Sequence, residues 1–164
     1  ARPVPRPSER RAMVDDIDRQ VVNALLRDGR ASARDVAAET GVAATTVSRR
    51  MDQLVESGII EEYTARVDYE ALGYDVTAVF QLSVDGSGLK TVTERLRDLD
   101  NMVAVYEVTG GHDIVAVGKF RDTDEMNAHI KELLTDPDIR TAATSVVLNT
   151  VREHEQFPVD DTGE

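Results

Sequence analysis

The chain contains no cysteine and no tryptophan, and aromatic residues make up only 4% of its 164 residues. The absence of cysteine excludes disulfide bonds, thiolate zinc sites, iron–sulfur clusters and cysteine nucleophiles, and it suggests an intracellular protein. No apolar run approaches the roughly eighteen residues of a membrane helix, and the first residues lack the apolar segment of a secretory signal. We therefore expect a soluble, cytoplasmic protein without a membrane partner.

Lysine is also scarce, with three residues against sixteen arginines, and the net charge is −12. The first 66 residues hold eleven arginines and eleven acidic residues, whereas the remainder holds eight basic residues and twenty acidic ones. Only the first part is therefore suited to meet a polyanion. An acidic, strongly hydrated surface is typical of a protein from a salt-rich cytoplasm, such as that of a halophilic archaeon. The alternative is an acidic protein encoded by a GC-rich genome.

Residues 1–12 carry three prolines and four arginines without periodicity, and we interpret them as a flexible basic arm. Such an arm can lie in a DNA minor groove. The alternative is sequence that does not belong to the domain beginning at Met13.

Three helical segments are predicted within residues 13–67. The first begins at Asp15 and carries one apolar stripe up to Asp28-Gly29. The second, at 34–40, is only about two turns long and ends at a glycine. The third follows a tight turn and repeats apolar residues at helical spacing from Val47 onward.

Two short extended pieces, at 59–60 and 63–67, follow the third helix and predict a wing. This order describes a winged helix-turn-helix, whose third helix enters the major groove of double-stranded DNA. Hydroxyl, guanidinium and amide groups on the outward face of that helix can read base edges and hold phosphates. The predicted DNA-binding residues are Thr45, Thr46, Ser48, Arg49, Arg50 and Gln53. An ordinary solvated helix face is the alternative interpretation.

After a predicted linker at 68–75, the apolar residues change from helical to alternating spacing. Residues 76–152 then give the order β-α-β-β-α-β, with a polar, acidic tail at 153–164. The strands are predicted at 76–84, 102–109, 114–120 and 141–151, and the helices begin at Leu89 and Thr123. This is the ferredoxin-like order, with both helices on one face of an antiparallel sheet. The predicted fold class is α+β, a winged helix-turn-helix followed by a ferredoxin-like domain.

Both faces of the predicted sheet carry apolar side chains. In the second strand, Ala104, Tyr106 and Val108 share one face, and Val103 and Val105 lie on the other. A single helical layer leaves the second face bare, and a large bare apolar face normally marks a subunit interface. We therefore expect a homodimer formed through this domain, with possible higher assembly.

The chain resembles the Lrp/AsnC family, the leucine-responsive or feast/famine regulators, over residues 14–152. The run from Ile17 to Tyr74 is similar to the DNA-binding half of that family, and the β-α-β-β-α-β half is similar to its effector-binding domain. The marks are Ile17-Asp18, Asp28-Gly29-Arg30, Thr46–Arg50, Gly58-Ile59-Ile60, and Gly110 followed three residues later by Asp113. One departure is Ala43, which stands where the family usually has a serine that caps the recognition helix.

The resemblance implies a sequence-specific transcriptional regulator that responds to a small effector, usually an amino acid, held where dimers meet in assemblies up to an octamer. It carries over Gly110 and Asp113 as effector-binding residues, with Thr144 and Ser145 as weaker candidates. Asp113 can accept a hydrogen bond from an α-ammonium group, and Gly110 permits close approach of the ligand to the backbone. A plain hairpin turn is the alternative role for the Gly110 loop.

Two other functions stay open. The siroheme decarboxylases resemble this two-domain architecture, but they need a tetrapyrrole pocket, for which the chain offers little beyond His112. The other is a metabolic sensor whose helix-turn-helix contacts only proteins. His112 and His129 have no second ligand at a usable spacing. We therefore predict no enzyme activity, no metal site and no cofactor.

Overall fold

The computed structural model describes residues 14–160, which divide into two compact units. The helical unit contains the described residues up to Arg66 together with those from Arg152 onward, and the sheet unit is Val67–Val151. The predicted arm at 1–12 lies outside the described residues. No helix within 14–160 is long and apolar enough to cross a bilayer.

The helical unit contains the three predicted helices. They are α1 (Asp16–Arg27), α2 (Ala33–Thr40) and α3 (Ala44–Glu56). Asp15 and Asp18 form a reciprocal capping box at the start of α1, and Ser32 and Asp35 form another at α2. Gly41, with a left-handed φ of 74°, ends α2 and makes the tight turn into α3. Local capping chemistry therefore sets these boundaries.

One apolar core joins the three helices. It consists of Val21, Ala24, Leu25, Val36, Val47 and Leu54. Full burial of one Val or Leu side chain contributes about 1.5–3 kcal/mol, so this core, and not the helix propensity of short segments, holds the unit together.

The extended pieces predicted at 59–60 and 63–67 as a wing are not strands in the described chain. The backbone N–H groups of Ile59 and Ile60 both donate to the carbonyl of Leu54, each at 3.0 Å. Residues 61–68 have no regular structure. The physical reason is burial, because Ile59 and Ile60 pack against the helical core and fold back onto the end of α3.

The sheet unit has the predicted element order. Its elements are β1 (Val76–Val84), α4 (Leu89–Arg97), β2 (Met102–Glu107), β3 (Ile114–Phe120), α5 (Thr123–Thr135) and β4 (Ile139–Val146). All strand pairs are antiparallel, and the order across the sheet is β2-β3-β1-β4. This is the ferredoxin-like arrangement, and the α+β fold class is confirmed.

Two strands end earlier than predicted. β2 ends at Glu107, and β4 ends at Val146 instead of reaching residue 151. Val147 still donates its N–H to the carbonyl of Thr77, next to the first residue of β1. Regular pairing of β4 stops at Val146, opposite Ala78, two residues short of the start of β1.

The two faces of the sheet differ in exposure. Phe80, Leu82 and Ala116 lie on the helix-covered face and are fully buried. On the opposite face, which we call the open face, Tyr106 pairs with Val115 and is 56% exposed. The open face carries Val79, Ala104, Tyr106, Val115 and Val117. The predicted apolar character of both faces is therefore present in the folded sheet.

The predicted linker and the described part of the predicted tail each belong to one of the two compact units. Residues 68–75 belong to the sheet unit, where the carbonyl of Tyr69 accepts from the N–H groups of Leu72 and Tyr74. The rings of Tyr69 and Tyr74 meet edge to face, with centroids 5.8 Å apart. The described part of the predicted tail at 153–164 is grouped with the helical unit.

Candidate functional site

Four of the six predicted DNA-binding side chains are exposed on α3. Thr45, Ser48, Arg49 and Gln53 are exposed, and Thr46 is half-buried. Thr45, Arg49 and Gln53 are spaced four residues apart and so form one row along the helix. We call these three residues the α3 row. It presents a hydroxyl, a guanidinium and an amide, which are the groups suited to base edges in a major groove.

Arg50 turns inward, so its predicted outward orientation is wrong. Its Nη1 lies 3.1 and 3.2 Å from the two carboxylate oxygens of Asp18, and its Nη2 lies 2.8 Å from Asp15. The Asp18 side chain is only 6% exposed. A buried carboxylate needs a cationic partner, and α3 supplies it. Arg50 is therefore a positioning residue that ties α3 to the start of α1.

The acidic groups at the helix starts are stabilised in their charged form. The Asp18 backbone N–H donates to Asp15 and is the main cause that holds the pKa of Asp15 below its usual value of 3.8. Desolvation raises this pKa, while the charge of Arg50 lowers it further. Hydrogen bonds from the Ser32 hydroxyl and backbone N–H likewise lower the pKa of Asp35. Both carboxylates therefore stay ionised near neutral pH.

Several arginines of the helical unit are already paired. Arg19 forms an ion pair with Asp16, and Arg27 with Glu39. Within residues 14–160, no ion pair involves Arg30, Arg34 or Arg49. These three cations are available for phosphate contacts.

The start of α3 lacks a side-chain cap in the described chain. Ala43 occupies the N-cap position, with φ −58° and ψ 135°, and no side-chain hydrogen bond caps the helix there. The first backbone N–H groups of α3 therefore have no capping side chain, and such groups can bind an anion.

Asp113 holds the loop between β2 and β3 against β1. Its Oδ2 accepts the N–H of Val84 at 2.8 Å, and its own N–H donates to the carbonyl of Leu82 at 2.9 Å. Arg140, which the sequence reasoning missed, lies 3.7 Å from the same Oδ2. The Asp113 side chain remains 42% exposed, so a small cation can still reach it.

Gly110 is required by the backbone of this loop. Its φ of 122° is a value that other residues rarely adopt, and a Cβ placed there would meet no described atom within 4 Å. The conformation of the turn, and not crowding, therefore explains the glycine.

Thr144 and Ser145 do not join Gly110 and Asp113 in one site within a single chain. Thr144 pairs with the buried Phe80 and so faces the helices, whereas Ser145 pairs with Val79 on the open face. Strand alternation forces this split. Ser145 also lies about 10 Å further along the sheet than the start of β3 at Ile114, since three residues of β1 separate their partners.

The histidines form no metal centre in the described chain. His129 packs between the rings of Phe80 and Phe120, and burial lowers its pKa from 6.5, although Glu132 acts in the opposite direction. Its Nε2 and the Nδ1 of His112 are buried without a hydrogen-bond partner there. Residues 14–160 contain no group of three His, Cys, Asp or Glu side chains able to hold a metal ion.

A cavity of about 490 Å³ opens in the sheet unit, and sequence reasoning did not find it. Its walls include Tyr69, Tyr74, Lys119, Arg121 and His129. None of the four predicted effector residues is among its described walls. No sequence motif indicates this cavity, because its lining residues come from segments that are far apart in the sequence.

Each of the two units matches a known protein family. Residues 77–157 match the Lrp/AsnC ligand binding domain, and residues 14–61 match a winged helix-turn-helix DNA-binding domain. The chain is 34% identical over 140 residues to an uncharacterized HTH-type transcriptional regulator of Pyrococcus horikoshii, covering 85% of this chain and 95% of the relative. It is 32% identical over 149 residues to the HTH-type transcriptional regulator FL11 of Pyrococcus abyssi, covering 91% and 99%.

A solved structure also resembles the fold. The feast or famine regulatory protein from M. tuberculosis, complexed with L-methionine, superimposes with a TM-score of 0.81 at 26% identity. The match covers 88% of this chain and 99% of that protein.

Proposed function

Because this chain belongs to the Lrp/AsnC family of transcriptional regulators, we propose that it binds specific double-stranded DNA through the α3 row and that an amino acid effector changes this binding. The observation that carries the proposal is the row itself. Thr45, Arg49 and Gln53 share one exposed line of α3, while Arg50 ties the helix to α1 from the other side.

The roles within the DNA interface follow from the chemistry of each side chain. Arg49 can form a bidentate contact with guanine, and Gln53 can form one with adenine. Arg30 and Arg34 lie outside α3 and suit phosphate contacts, which set position and not sequence. In a salt-rich cytoplasm the counterion contribution weakens, so the contacts of the α3 row carry a larger share of affinity.

The open face of the sheet supports a dimer. Val79, Val115 and Val117 lie side by side across β1 and β3, and Tyr106 is 56% exposed beside them. Leu148 and Val151, which follow β4, are 97% and 91% exposed. Burying these apolar groups against a second copy removes them from water, and two copies present two α3 rows to two half-sites. An octamer would need further contacts.

The effector is proposed to bind at the loop that contains Gly110 and Asp113. The half-exposed carboxylate of Asp113 suits an α-ammonium group. The M. tuberculosis neighbour was solved with L-methionine, which supports an amino acid as the ligand class. Within one chain Ser145 lies about 10 Å along the sheet from the start of β3. It can therefore contribute to the effector site at the Gly110 loop only from a second copy.

Fluorescence anisotropy with a duplex from the region upstream of the protein's own gene tests DNA binding. We expect tighter binding to this duplex than to an unrelated duplex of equal length, both measured in molar KCl. Arg49→Ala should lose about tenfold or more in affinity, since one bidentate base contact is worth about 1–3 kcal/mol. Lys90→Ala, an exposed cation on α4, is the control. Equal binding of both duplexes, or an unaffected Arg49→Ala, would contradict the assignment.

A thermal-shift screen of the twenty amino acids in molar KCl tests the effector. At least one should raise the melting temperature of the wild type and alter its duplex affinity. Asp113→Asn should abolish that shift, whereas Asp124→Asn, at the exposed start of α5, should keep it. If no amino acid changes either the melting temperature or the affinity, the effector class is wrong.

A further inference from the structure

The C-terminal segment 152–160 is attached to α1 by a pair of hydrogen bonds. The side chain of Asn23 donates from Nδ2 to the carbonyl of Val159 at 2.9 Å, and the N–H of Val159 donates to Asn23 Oδ1, also at 2.9 Å. The two residues are 136 positions apart in sequence. The Asn23 side-chain amide thus pairs with the backbone of Val159 through one donated and one accepted hydrogen bond, as the backbone of a neighbouring β-strand would.

Asn23 is buried on the side of α1 that faces away from the helical core. Val21 and Leu25 point into that core, and each lies two residues from Asn23, which is about 200° around the helix. An outward residue at such an angle is normally exposed, yet Asn23 is only 6% exposed. The C-terminal segment is what contacts it there.

Arg66 provides a second attachment. Its Nη2 donates to the carbonyl of Glu153 at 3.1 Å, and its Nη1 lies 3.8 Å from the carboxylate of Glu155. Arg152 also contacts Glu155, at 2.9 Å. Arg66 is the last residue of the helical unit before the chain enters the sheet unit.

We propose that residues 152–160 form a strap, that the outer face of α1 is its docking surface, and that Asn23 is its latch. The chain enters the sheet unit after Arg66 and leaves it again after Val151. A docked strap therefore anchors the helical unit to the chain at two places instead of one. Because the strap contacts the face of α1 opposite its core side, it leaves the α3 row accessible.

The consequence for DNA binding rests on the proposed function. Two half-sites are bound together more tightly when the two DNA-binding units have less freedom, because the effective concentration of the second unit rises. Releasing the strap adds freedom without altering any residue of the α3 row. The strap therefore acts as a restraint that favours binding, and not as an inhibitor.

Hydrogen–deuterium exchange of the full-length protein tests the docking directly. The Val159 amide should be protected in the wild type, and Asn23→Ala should speed its exchange by about tenfold, as expected for the loss of two hydrogen bonds of modest net strength. Arg27→Ala, at an exposed position one turn later on α1, is the matched control and should leave the exchange unchanged. Exchange of Val159 at the rate of an unstructured chain in the wild type would overturn the proposal.

Two further variants separate release of the strap from damage to α1. Val159→Pro removes the N–H donor from the strap itself and should release residues 152–157 while α1 keeps its protection. Val159→Ala retains the N–H and should stay docked. If Val159→Pro leaves the exchange of residues 152–157 unchanged, Asn23 is not a latch.

Duplex affinity tests the functional consequence. Val159→Pro should weaken binding by about threefold to tenfold, and Val159→Ala should bind as the wild type does. If Val159→Pro releases the strap but binds the duplex as tightly as the wild type, the proposed restraining role of the strap is wrong. A wild type that binds no duplex would instead contradict the proposed function, while the exchange results would still decide the docking.

Discussion

The guanidinium of Arg50 on α3 contacts both carboxylate oxygens of Asp18 on α1, at 3.1 and 3.2 Å. This contact joins α3 to the start of α1. Asp18 is also half of the capping box of α1. One buried carboxylate thus fixes where α1 begins and how α3 is held. The residue that the helical pattern would offer to DNA is instead the residue that orients the helix.

Arg50→Ala should lower the free energy of unfolding by about 2–4 kcal/mol, because it leaves the buried Asp18 without its cation. Arg50→Lys should recover only part of this loss, since an ammonium cannot make the two-point contact. Denaturant titration checks both. The neighbouring Arg49→Ala is the control, with an expected change within about 0.5 kcal/mol. Equal unfolding midpoints for Arg49→Ala and Arg50→Ala would refute the positioning role.

Ala43→Ser should stabilise the start of α3 by about 1 kcal/mol, because a serine at the N-cap can accept a backbone N–H that no side chain caps now. Thermal unfolding followed by circular dichroism measures the gain. Ala44→Ser, one residue further on, places the same hydroxyl inside the helix and should give no increase. A lower melting temperature for Ala43→Ser would show that the position cannot act as a cap.

The stability of the sheet unit should fall as the pH drops below about 6.5. Burial lowers the folded-state pKa of His129 from 6.5, so the unfolded chain takes up a proton that the buried ring resists, and the free energy of unfolding decreases. The loss ends once the pH passes below the folded-state pKa. Denaturant titrations on both sides of pH 6.5 measure the slope.

His129→Phe should remove this pH dependence while keeping an aromatic ring between Phe80 and Phe120. It should also stabilise the unit by about 1 kcal/mol at neutral pH, because a buried nitrogen without a partner is lost. His154→Asn is the control, since asparagine tolerates the positive φ of that residue. An unchanged pH slope in His129→Phe would assign the effect to another group.

Val117→Glu should convert the proposed dimer to a monomer, because it places a charge in the middle of the open face. Sedimentation velocity in molar KCl gives the mass. Lys90→Glu also introduces a glutamate, on the exposed side of α4, and should leave the mass unchanged. A Val117→Glu variant that remains folded and keeps its wild-type mass would exclude the open face as the interface.

Gly110→Ala should destabilise the sheet unit by about 1–2 kcal/mol, because alanine rarely adopts a φ of 122°. Gly111→Ala is the matched control, since its added Cβ would meet no described atom within 4 Å and its φ lies outside the left-handed region. Chemical denaturation compares the two. Equal stability of the two variants would mean that the loop relaxes around residue 110.

Sequence periodicity predicted most of the fold because its signals are local. Asp15 with Asp18, and Ser32 with Asp35, act over three residues, and Gly41 acts through its own backbone. Alternation along β1 and β3 likewise predicts which side chains share a face. The α3 row was found in the same way, from helical spacing alone.

The rest of the candidate site depends on partners that are distant in the chain. No residue near Arg50 in the sequence indicates that its side chain forms an ion pair with Asp18, 32 positions earlier. Thr144 and Ser145 are neighbours in sequence but lie on opposite faces, because β4 pairs with β1. Ile59 and Ile60 have the composition of a strand but find a helical core to pack against.

The sequence by itself determined the helices, the order of the strands and the polar surface of α3, since hydrogen bonds and spacing within a few residues decide them. Only the tertiary structure decided that Arg50 faces inward and that the C-terminal segment meets Asn23. The physical reason is that a long polar side chain takes the partner that packing brings to it, and packing joins residues far apart in the chain.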